Sequence, residues 1–377
     1  MSQAAIEPVE QLRRLVNGYQ VTQAIGVMVT LGLPDRLAAG PRSAAELASL
    51  TGADPSALSR LLRALVAIGA ISGPAGRPGT FELTELGRLL CSDADESLAG
   101  WAAFVVRPYH WEAWGDLLQT VQTGENPFGT RHGGQSIWEW RQDHPDENAI
   151  FNRAMHALSA ATARRLAATY DFSGFTVIAD LGGGDGTLLA AVLAQHPGLR
   201  GVVFDLPHVV AGAPARLQAA GVADRVEVVE GSFFDGVPAG CDAYVLKSVL
   251  HDWDDEASVR ILRQVRNVAT PATTVLIVER TLDEHGHGSV AAMSDLNMLT
   301  MTGGAERTLT QWRALAGAGG FEITGTVDIG AEWSVIEAHA TGIAASHEPG
   351  SEPWVTPKSS SSFRRRPTPG APQSPRD

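Results

Sequence analysis

Cysteine is nearly absent: the 377-residue chain has two, Cys91 and Cys241, far apart and with no CxxC or Cys/His cluster around them. Neither a disulfide framework nor a structural zinc site is expected, and a reducing, cytoplasmic setting is. Net positive charge is lacking as well. Lys and Arg total 29 against 42 Asp and Glu, a formal net charge of −13. A surface of that sign cannot neutralise phosphates and release their counterions, which argues against nucleic acid as a partner. No apolar run reaches the roughly 20 residues of a membrane span, so no membrane partner is expected. Ala24 to Leu33, behind Arg13 and Arg14, comes nearest to a signal-peptide core, but Asn17, Gln20, Thr22 and Gln23 break the apolar run. An N-terminal helix is the better reading.

What is present is the composition of a globular protein. Hydrophobic residues make up 44% and charged residues 19%, and the length suits two folded units with linking and terminal segments. From Val9 to Leu33 apolar residues recur at spacings of three and four, the mark of a buried helix. Ser43-Ala44-Ala45-Glu46 is a capping box opening a short helix that stops near Thr51-Gly52. Asp54 then offers an N-cap oxygen and Pro55 a first helical position. Leu58, Leu61, Leu62, Leu65 and Ile68 form one apolar face, and Gly69 suits the left-handed residue past the end. Two strand-like pieces, Ala70 to Ser72 and Thr80 to Leu83, flank the segment Gly73 to Gly79, so residues 1–100 read as a winged-helix-like unit. Residues 101–171 read as a helical linker, with helices Trp101 to Gln122 and Asp146 to Thr169 around a loop from Gly124 to Gly134.

From 172 to 344 strands alternate with helices, the pattern of an α/β, Rossmann-like doubly wound sheet. Strands are expected at Val177–Leu181, Gly201–Asp205, Val226–Glu230, Ala243–Lys247 and Thr274–Glu279. Phe321–Ile329 and Trp333–Ala340 are close enough to form an antiparallel edge hairpin. In residues 345–377 Pro, Ser and Arg take over and periodicity stops, the composition of a disordered tail.

The first strand runs into Gly182-Gly183-Gly184-Asp185-Gly186, and Asp205 ends the next strand. Glycines let the backbone pass close to a nucleoside at the carboxyl end of such a sheet, and an acidic residue about 20 positions on can accept from both ribose hydroxyls. A dinucleotide site is the competing reading, although Thr187 stands where its third small residue belongs; a purely structural turn is another. Asp252, Asp254 and Asp255 suggest a metal site at first sight, but Asp254 as the cap of a helix Glu256 to Val268 accounts for the cluster more simply.

Five motifs occur in order: Asp180-Leu181-Gly182-Gly183-Gly184-Asp185-Gly186, Phe204-Asp205-Leu206-Pro207, Gly231-Ser232-Phe233-Phe234, Leu246-Lys247-Ser248-Val249-Leu250-His251-Asp252-Trp253 and Gly303-Gly304-Ala305-Glu306-Arg307-Thr308. Together they resemble the metal-independent small-molecule O-methyltransferases, the family of the plant caffeic acid and acetylserotonin enzymes and of many bacterial antibiotic-tailoring enzymes. The resemblance extends to about Ala340. It implies S-adenosyl-L-methionine as cofactor, S-adenosyl-L-homocysteine as its product, no metal, a small aromatic acceptor methylated on a hydroxyl, and a homodimer formed through residues 1–100. It places Gly182 and Gly184 beside the methionine part, Asp205 and Leu206 at the ribose, Ser232 and Phe233 at the adenine, and Lys247 and Trp253 as completing the site. Ser232 departs from the acidic residue usual there, and Trp253 can equally be read as core.

The same resemblance makes His251 the general base and Glu279 and Glu306 its flanking carboxylates; without it, His251 reads as a buried hydrogen-bonding residue and Glu306 as a surface charge. A phenol near pKa 10 facing a histidine near 6.5 is about 3.5 units uphill, roughly 5 kcal/mol for complete prior proton transfer, and a carboxylate beside the ring reduces that gap. Met155, Asn297, Met298 and Met301 lie in segments that line the acceptor pocket in the family, with Trp111 and Trp114 as further candidates from the preceding helices. Two other functions compete: a winged-helix DNA-binding regulator, and a relative with hydroxylase or decarboxylase chemistry. Residues 1–100 hold eight Arg, no Lys and ten acidic residues, 8 − 10 = −2, which is no basic footprint for DNA. His251 with both Glu279 and Glu306 favours ordinary methyl transfer.

Overall fold

A computed structural model describes residues 7–73, 79–94, 96–284 and 289–342. The expected tail at 345–377 and part of the segment between the two N-terminal strands lie outside the described residues.

Local signals set the N-terminal helices. The helix Ala44–Thr51 opens on a complete capping box, with the Ser43 N–H donating to Glu46 Oε2 at 2.7 Å, and closes on Gly52 at φ +68°. Helix Pro55–Ala67 is capped by Asp54, whose Oδ1 accepts from the Ala57 N–H at 2.8 Å, and buries Leu58, Leu62 and Leu65. Strand Thr80–Leu83 pairs antiparallel with both Ile71–Ser72 and Arg42–Ser43, giving the expected small hairpin a third, two-residue strand.

The single buried helix expected over Val9–Leu33 is three helices, Pro8–Val16, Gly18–Thr30 and Leu33–Ala38. The chain turns at Asn17 (ψ 5°) and again at Gly32, whose φ of +62° ends the second helix. The first helix buries nothing; Val9, Leu12, Leu15 and Val16 are all exposed. The helix expected over Trp101–Gln122 is likewise three, Ala99–Phe104, Pro108–Gly115 and Leu117–Thr123. Pro108 has no N–H to give and forces Arg107 to an extended ψ of 142°. The expected loop from Gly124 to Gly134 contains the helix Pro127–Arg131, capped by Asn126. A helix Ile137–Asp143 follows, although its Ser136/Glu139 capping box was there to be read. The helix Pro145–Thr169 then packs against both Ala99–Phe104 and Thr187–Gln195, joining the N-terminal helices to the sheet.

The large sheet holds β1 (Val177–Leu181), β2 (Arg200–Asp205), β3 (Val226–Glu230), β4 (Ala243–Lys247), β5 (Thr274–Leu282), β6 (Phe321–Gly330) and β7 (Trp333–Ala340), in the order 3-2-1-4-5-7-6. The first five are parallel, and the β6–β7 hairpin adds to β5 antiparallel. The short strand Arg307–Thr308 pairs with the end of β5. Helices cover both faces, so β1, β4 and β5 are buried nearly throughout and read as continuous apolar runs. One core cluster centres on Leu189, Val203, Val245 and Val278, the other on Tyr244, Leu262, Ile277 and Trp312. The order reverses between β1 and β4, and ligands of such sheets bind beyond the strand ends at that point.

The helix Ile137–Asp143 depends strongly on its cap because it has only seven residues. Ser136→Ala removes the hydroxyl half of the capping box, which accepts from the Glu139 N–H at 3.2 Å, and should lower the unfolding free energy by about 1 kcal/mol, read from the urea midpoint at unchanged slope.

Candidate active site

At the switch point the turn after β1 requires glycine. Gly182, Gly184 and Gly186 have φ of +74°, +60° and +80°, and a Cβ on Gly182 would stand 2.7 Å from Val249 Cγ2. The turn is tied to the next strand through Asp205, which accepts from the Gly184 N–H at 3.0 Å and the Leu206 N–H at 2.7 Å. Each Asp205 oxygen keeps a free lone pair for a ligand's hydroxyls. Asp185 closes the far side of the turn, accepting from Thr187 Oγ1 at 2.6 Å and Arg216 Nε at 2.9 Å, with His156 Nδ1 at 3.2 Å. Its pKa is about 2: burial pushes it up, and the His156 and Thr187 hydrogen bonds more than reverse that.

Below the turn, Asp180 is 2% exposed and its Oδ2 has no hydrogen-bond partner. Burial, opposed by the charge on Lys247, raises its pKa to about 7. Lys247 at the end of β4 donates to Ser159 Oγ at 2.9 Å and Ser248 Oγ at 3.1 Å and lies 5.4 Å from the Trp333 ring centre. Burial lowers the pKa of its ammonium. An unpartnered buried carboxylate beside an ammonium is a site prepared for a zwitterion. On the other side, Phe233 and Phe234 meet Trp253 edge-on, with ring centres 6.1 and 4.8 Å away. Ser232 Oγ accepts from the Phe234 N–H at 3.2 Å, holding its own loop.

His251 occupies a single 3-10 turn after β4, buried with two carboxylates behind it. Its Nδ1 lies 2.9 Å from Glu306 Oε1 and 3.4 Å from Glu279 Oε2. Its Nε2 is 3.8 Å from Asp252 Oδ1. Glu279 is fully buried; its Oε1 accepts from the Val249 N–H at 3.0 Å and the His251 N–H at 3.4 Å, so it positions the turn as well as the ring. Glu306 also accepts from Ser294 Oγ at 2.7 Å. It is 2% exposed, which rules out the surface-charge reading. Burial alone would lower the His251 pKa, but Glu279, Asp252 and Glu306 outweigh it and lift it to about 10. Glu279 is raised to about 7 by burial, whereas hydrogen bonding to His251 takes Glu306 below its ordinary value.

The second glycine pair serves this cluster. A Cβ on Gly304 would stand 2.0 Å from the His251 carbonyl oxygen, and the Ala305 N–H donates to that oxygen at 2.9 Å. Arg307 donates to the carbonyls of Leu250 at 3.0 Å and Trp253 at 2.9 Å and pairs with Asp255. Asp254 caps the helix Asp255–Val268 through the Ala257 N–H at 2.7 Å. The aspartate cluster is thereby accounted for without a metal role.

One cavity of about 1170 Å³ joins these parts. Gly182, Gly184, Asp205, Leu206, Ser232, Phe233, Lys247, Trp253 and His251 line it, as do Met155, Asn297, Met298 and Met301. Glu279 and Glu306 stand behind His251 and off the wall. Trp111 and Trp114 are not on the wall either; Trp114 Nε1 donates to Asn297 Oδ1 at 3.2 Å and so braces a wall residue. Sequence reasoning passed over Asp180, His156, Asp185 and Arg141. Asp180 and Asp185 flank the glycines and could have been singled out, whereas His156 and Arg141 sit on helices with no local signature.

A parallel doubly wound sheet closed by a reversed hairpin, with its cavity at the switch point, defines the α/β methyltransferase fold. The chain belongs to the O-methyltransferase family: residues 114–322 match the model of the O-methyltransferase domain and residues 13–93 that of the O-methyltransferase dimerisation domain. It is 39% identical to the mitomycin biosynthesis 6-O-methyltransferase of Streptomyces lavendulae over 85% of this chain and 91% of that protein. The crystal structure of human N-acetylserotonin methyltransferase in complex with S-adenosylmethionine matches with a TM-score of 0.81 at 28% identity, covering 90% of this chain and 99% of that one. The O-methyltransferase of neocarzinostatin biosynthesis, solved with S-adenosylmethionine and 2-hydroxy-5-methyl naphthoic acid, matches with a TM-score of 0.72 at 36% identity over 85% of this chain and 96% of that one. A DNA-binding regulator finds no support in these comparisons.

The His251 ring should therefore titrate far above the ordinary histidine value. Side-chain nitrogen NMR is expected to show an imidazolium persisting well past pH 8, with the midpoint falling by a unit or more in Glu306→Gln. A midpoint near 6.5 in both proteins would contradict the charge balance described here.

Proposed function

We propose that this protein is an S-adenosylmethionine-dependent O-methyltransferase acting on a phenolic hydroxyl of a small aromatic secondary metabolite, with His251 as general base. The observation that carries the reading is the shared cavity: His251, backed by Glu306 and Glu279, faces the same space as the glycine turn and Asp205. The residues present suit the cofactor. Asp205 and Leu206 would hold its ribose, Phe233 and Trp253 its adenine beside Ser232, and Gly182, Gly184, Lys247 and the unpartnered Asp180 its amino-acid end. When bound, it would supply a sulfonium methyl group to the acceptor oxygen, with neutral S-adenosylhomocysteine as the leaving group.

The remaining work falls to the chain. Met155, Asn297, Met298 and Met301 would orient the acceptor so that its hydroxyl reaches His251 Nε2, the ring nitrogen not engaged by Glu306. His251 takes the proton as the oxygen loses it, and Glu306 holds the tautomer and accepts the hydrogen bond of the imidazolium. With its pKa lifted to about 10, the imidazole is matched to a phenol, and the uphill step of about 5 kcal/mol expected for an ordinary histidine largely disappears. The compensating cost is that the neutral, proton-accepting ring is scarce at pH 7.

The assembly is proposed to be a homodimer built on residues 1–100, with 101–171 contributing to the acceptor pocket and 172–344 binding the cofactor. The exposed Val9, Leu12, Leu15 and Val16 on one short helix support this, since they bury nothing within their own chain. Among the described residues no helix is long and apolar enough to cross a membrane, and Cys91 and Cys241 are both free and buried; a cytoplasmic enzyme fits these features.

His251→Ala should leave S-adenosylhomocysteine binding intact by calorimetry while kcat on a phenolic acceptor falls by about 10²-fold or more. Unchanged turnover would remove the assignment. In the unmodified enzyme kcat/KM should climb with pH from 7 and approach its plateau only above about 10, because raising the pH produces the neutral imidazole. Glu306→Gln should bring that plateau to lower pH.

A further inference from the structure

The wall of the acceptor end carries a cation that the proposed reaction leaves unused. Arg141, on the helix Ile137–Asp143, is 3% exposed, and its guanidinium lies 3.4 Å from the Phe151 ring centre, 5.2 Å from that of Trp138 and 5.8 Å from that of Phe104. All four residues line the cavity. Nε is buried without a hydrogen-bond partner, and no carboxylate among the described residues comes within salt-bridge distance of the group.

Its charged surroundings do not fully compensate it. Glu147 is already taken by a two-pronged pair with Arg107. Tyr109 is a buried phenol whose pKa burial raises against the Arg141 charge, so it offers the guanidinium a neutral oxygen and no counter-charge, and His110 is held neutral at neutral pH, its pKa lowered by burial to about 4. Asp252 is nearer His251 Nε2, at 3.8 Å, and burial raises its pKa to about 6 against the charges of both His251 and Arg141, so it compensates the guanidinium only in part. Burying an arginine unpaired is costly unless something completes it, and aromatic faces supply only part of what lost water did. They do fix the planar fork in place on the cavity wall.

We propose that Arg141 binds an anionic substituent of the acceptor, a carboxylate above all, so that the preferred substrates are hydroxylated aromatic acids. This rests on the methyl-transfer reading for its reaction, but not for its binding. Phe151 and Trp138 stack the acceptor ring, the Arg141 fork takes the carboxylate in a charge-assisted, bidentate contact, and the hydroxyl at another position of the ring is thereby turned toward His251. The cofactor's own carboxylate is assigned to Lys247, on a different element, at the end of β4.

The test pairs hydroxynaphthoic acids with their primary amides as acceptors for the full-length enzyme. The wild type should favour the acid in kcat/KM, and Arg141→Met should raise KM for the acid by about 10- to 100-fold while changing neither the amide kinetics nor the affinity for S-adenosylhomocysteine. Arg141→Lys should recover part of the loss. Equal effects on acid and amide, a fall in kcat on the amide, or weakened S-adenosylhomocysteine binding would each overturn the assignment. Intact S-adenosylhomocysteine binding also shows that the variant is folded. Should no acceptor be methylated, calorimetric binding of the acid to wild type and to Arg141→Met still decides the matter, so failure of the reaction and failure of the anion site are told apart.

Discussion

The contact between His251 and its two glutamates is the constraint around which the site is organised. Two carboxylates and an imidazole buried together are expensive to desolvate, and the cluster is tolerable only because each member is partnered. Glu306 accepts from the ring and from Ser294; Glu279 accepts from the backbone of the turn that carries the ring. Removing one partner would leave the others as uncompensated charge. That mutual dependence explains why so much backbone is committed to the spot. Gly304 lies against the His251 carbonyl, and Arg307 ties down the carbonyls on either side of the histidine.

The sheet brings this cluster to the cofactor end. Glu279 is near the end of β5 and Lys247 at the end of β4; parallel pairing of Lys247 with Val278 puts Glu279 directly under the loop that leaves β4. The same pairing makes β1 the neighbour of β4, so the glycine turn leaves the sheet beside that loop. Val249 then fills the space that a side chain at Gly182 would need. The proposed base and the proposed nucleoside site are thus adjacent by strand order, and the acceptor would take what remains of the cavity between them and the helices from residues 99 to 169.

That division also describes what could be read from the chain alone. The α/β region was legible nearly strand by strand, because buried parallel strands appear as short apolar runs bounded by turn residues, and β1 to β4 fall within a residue of expectation. The glycine turn and the Asp205 contact to it were legible because their signal is local: glycines in sequence, an acid at the end of the next strand. Helix breaks were not. Asn17 and Pro108 interrupt apolar periodicity that otherwise runs on, and the pattern outweighed the single residue that ends the helix. Glu306 was invisible as a buried group without the resemblance, since nothing near it in sequence shows that it meets a histidine 55 residues earlier. Arg141 illustrates the same limit, because its three aromatic neighbours come from three different helices.

The distribution of charge along the cavity follows from what methyl transfer does to it. In the proposed reaction a cationic donor would lie beside Asp180 and Asp205, and the step would end with that donor neutral and the acceptor's proton on His251. Positive charge would then have moved to His251, where Glu279 and Glu306 already stand. A site that stabilised charge only at the donor end would hold the starting state too well and slow the step; carboxylates fixed behind the base favour the state in which the charge has moved. Their placement off the cavity wall is therefore part of the same design, because there they act on the imidazolium without competing with the acceptor for its proton.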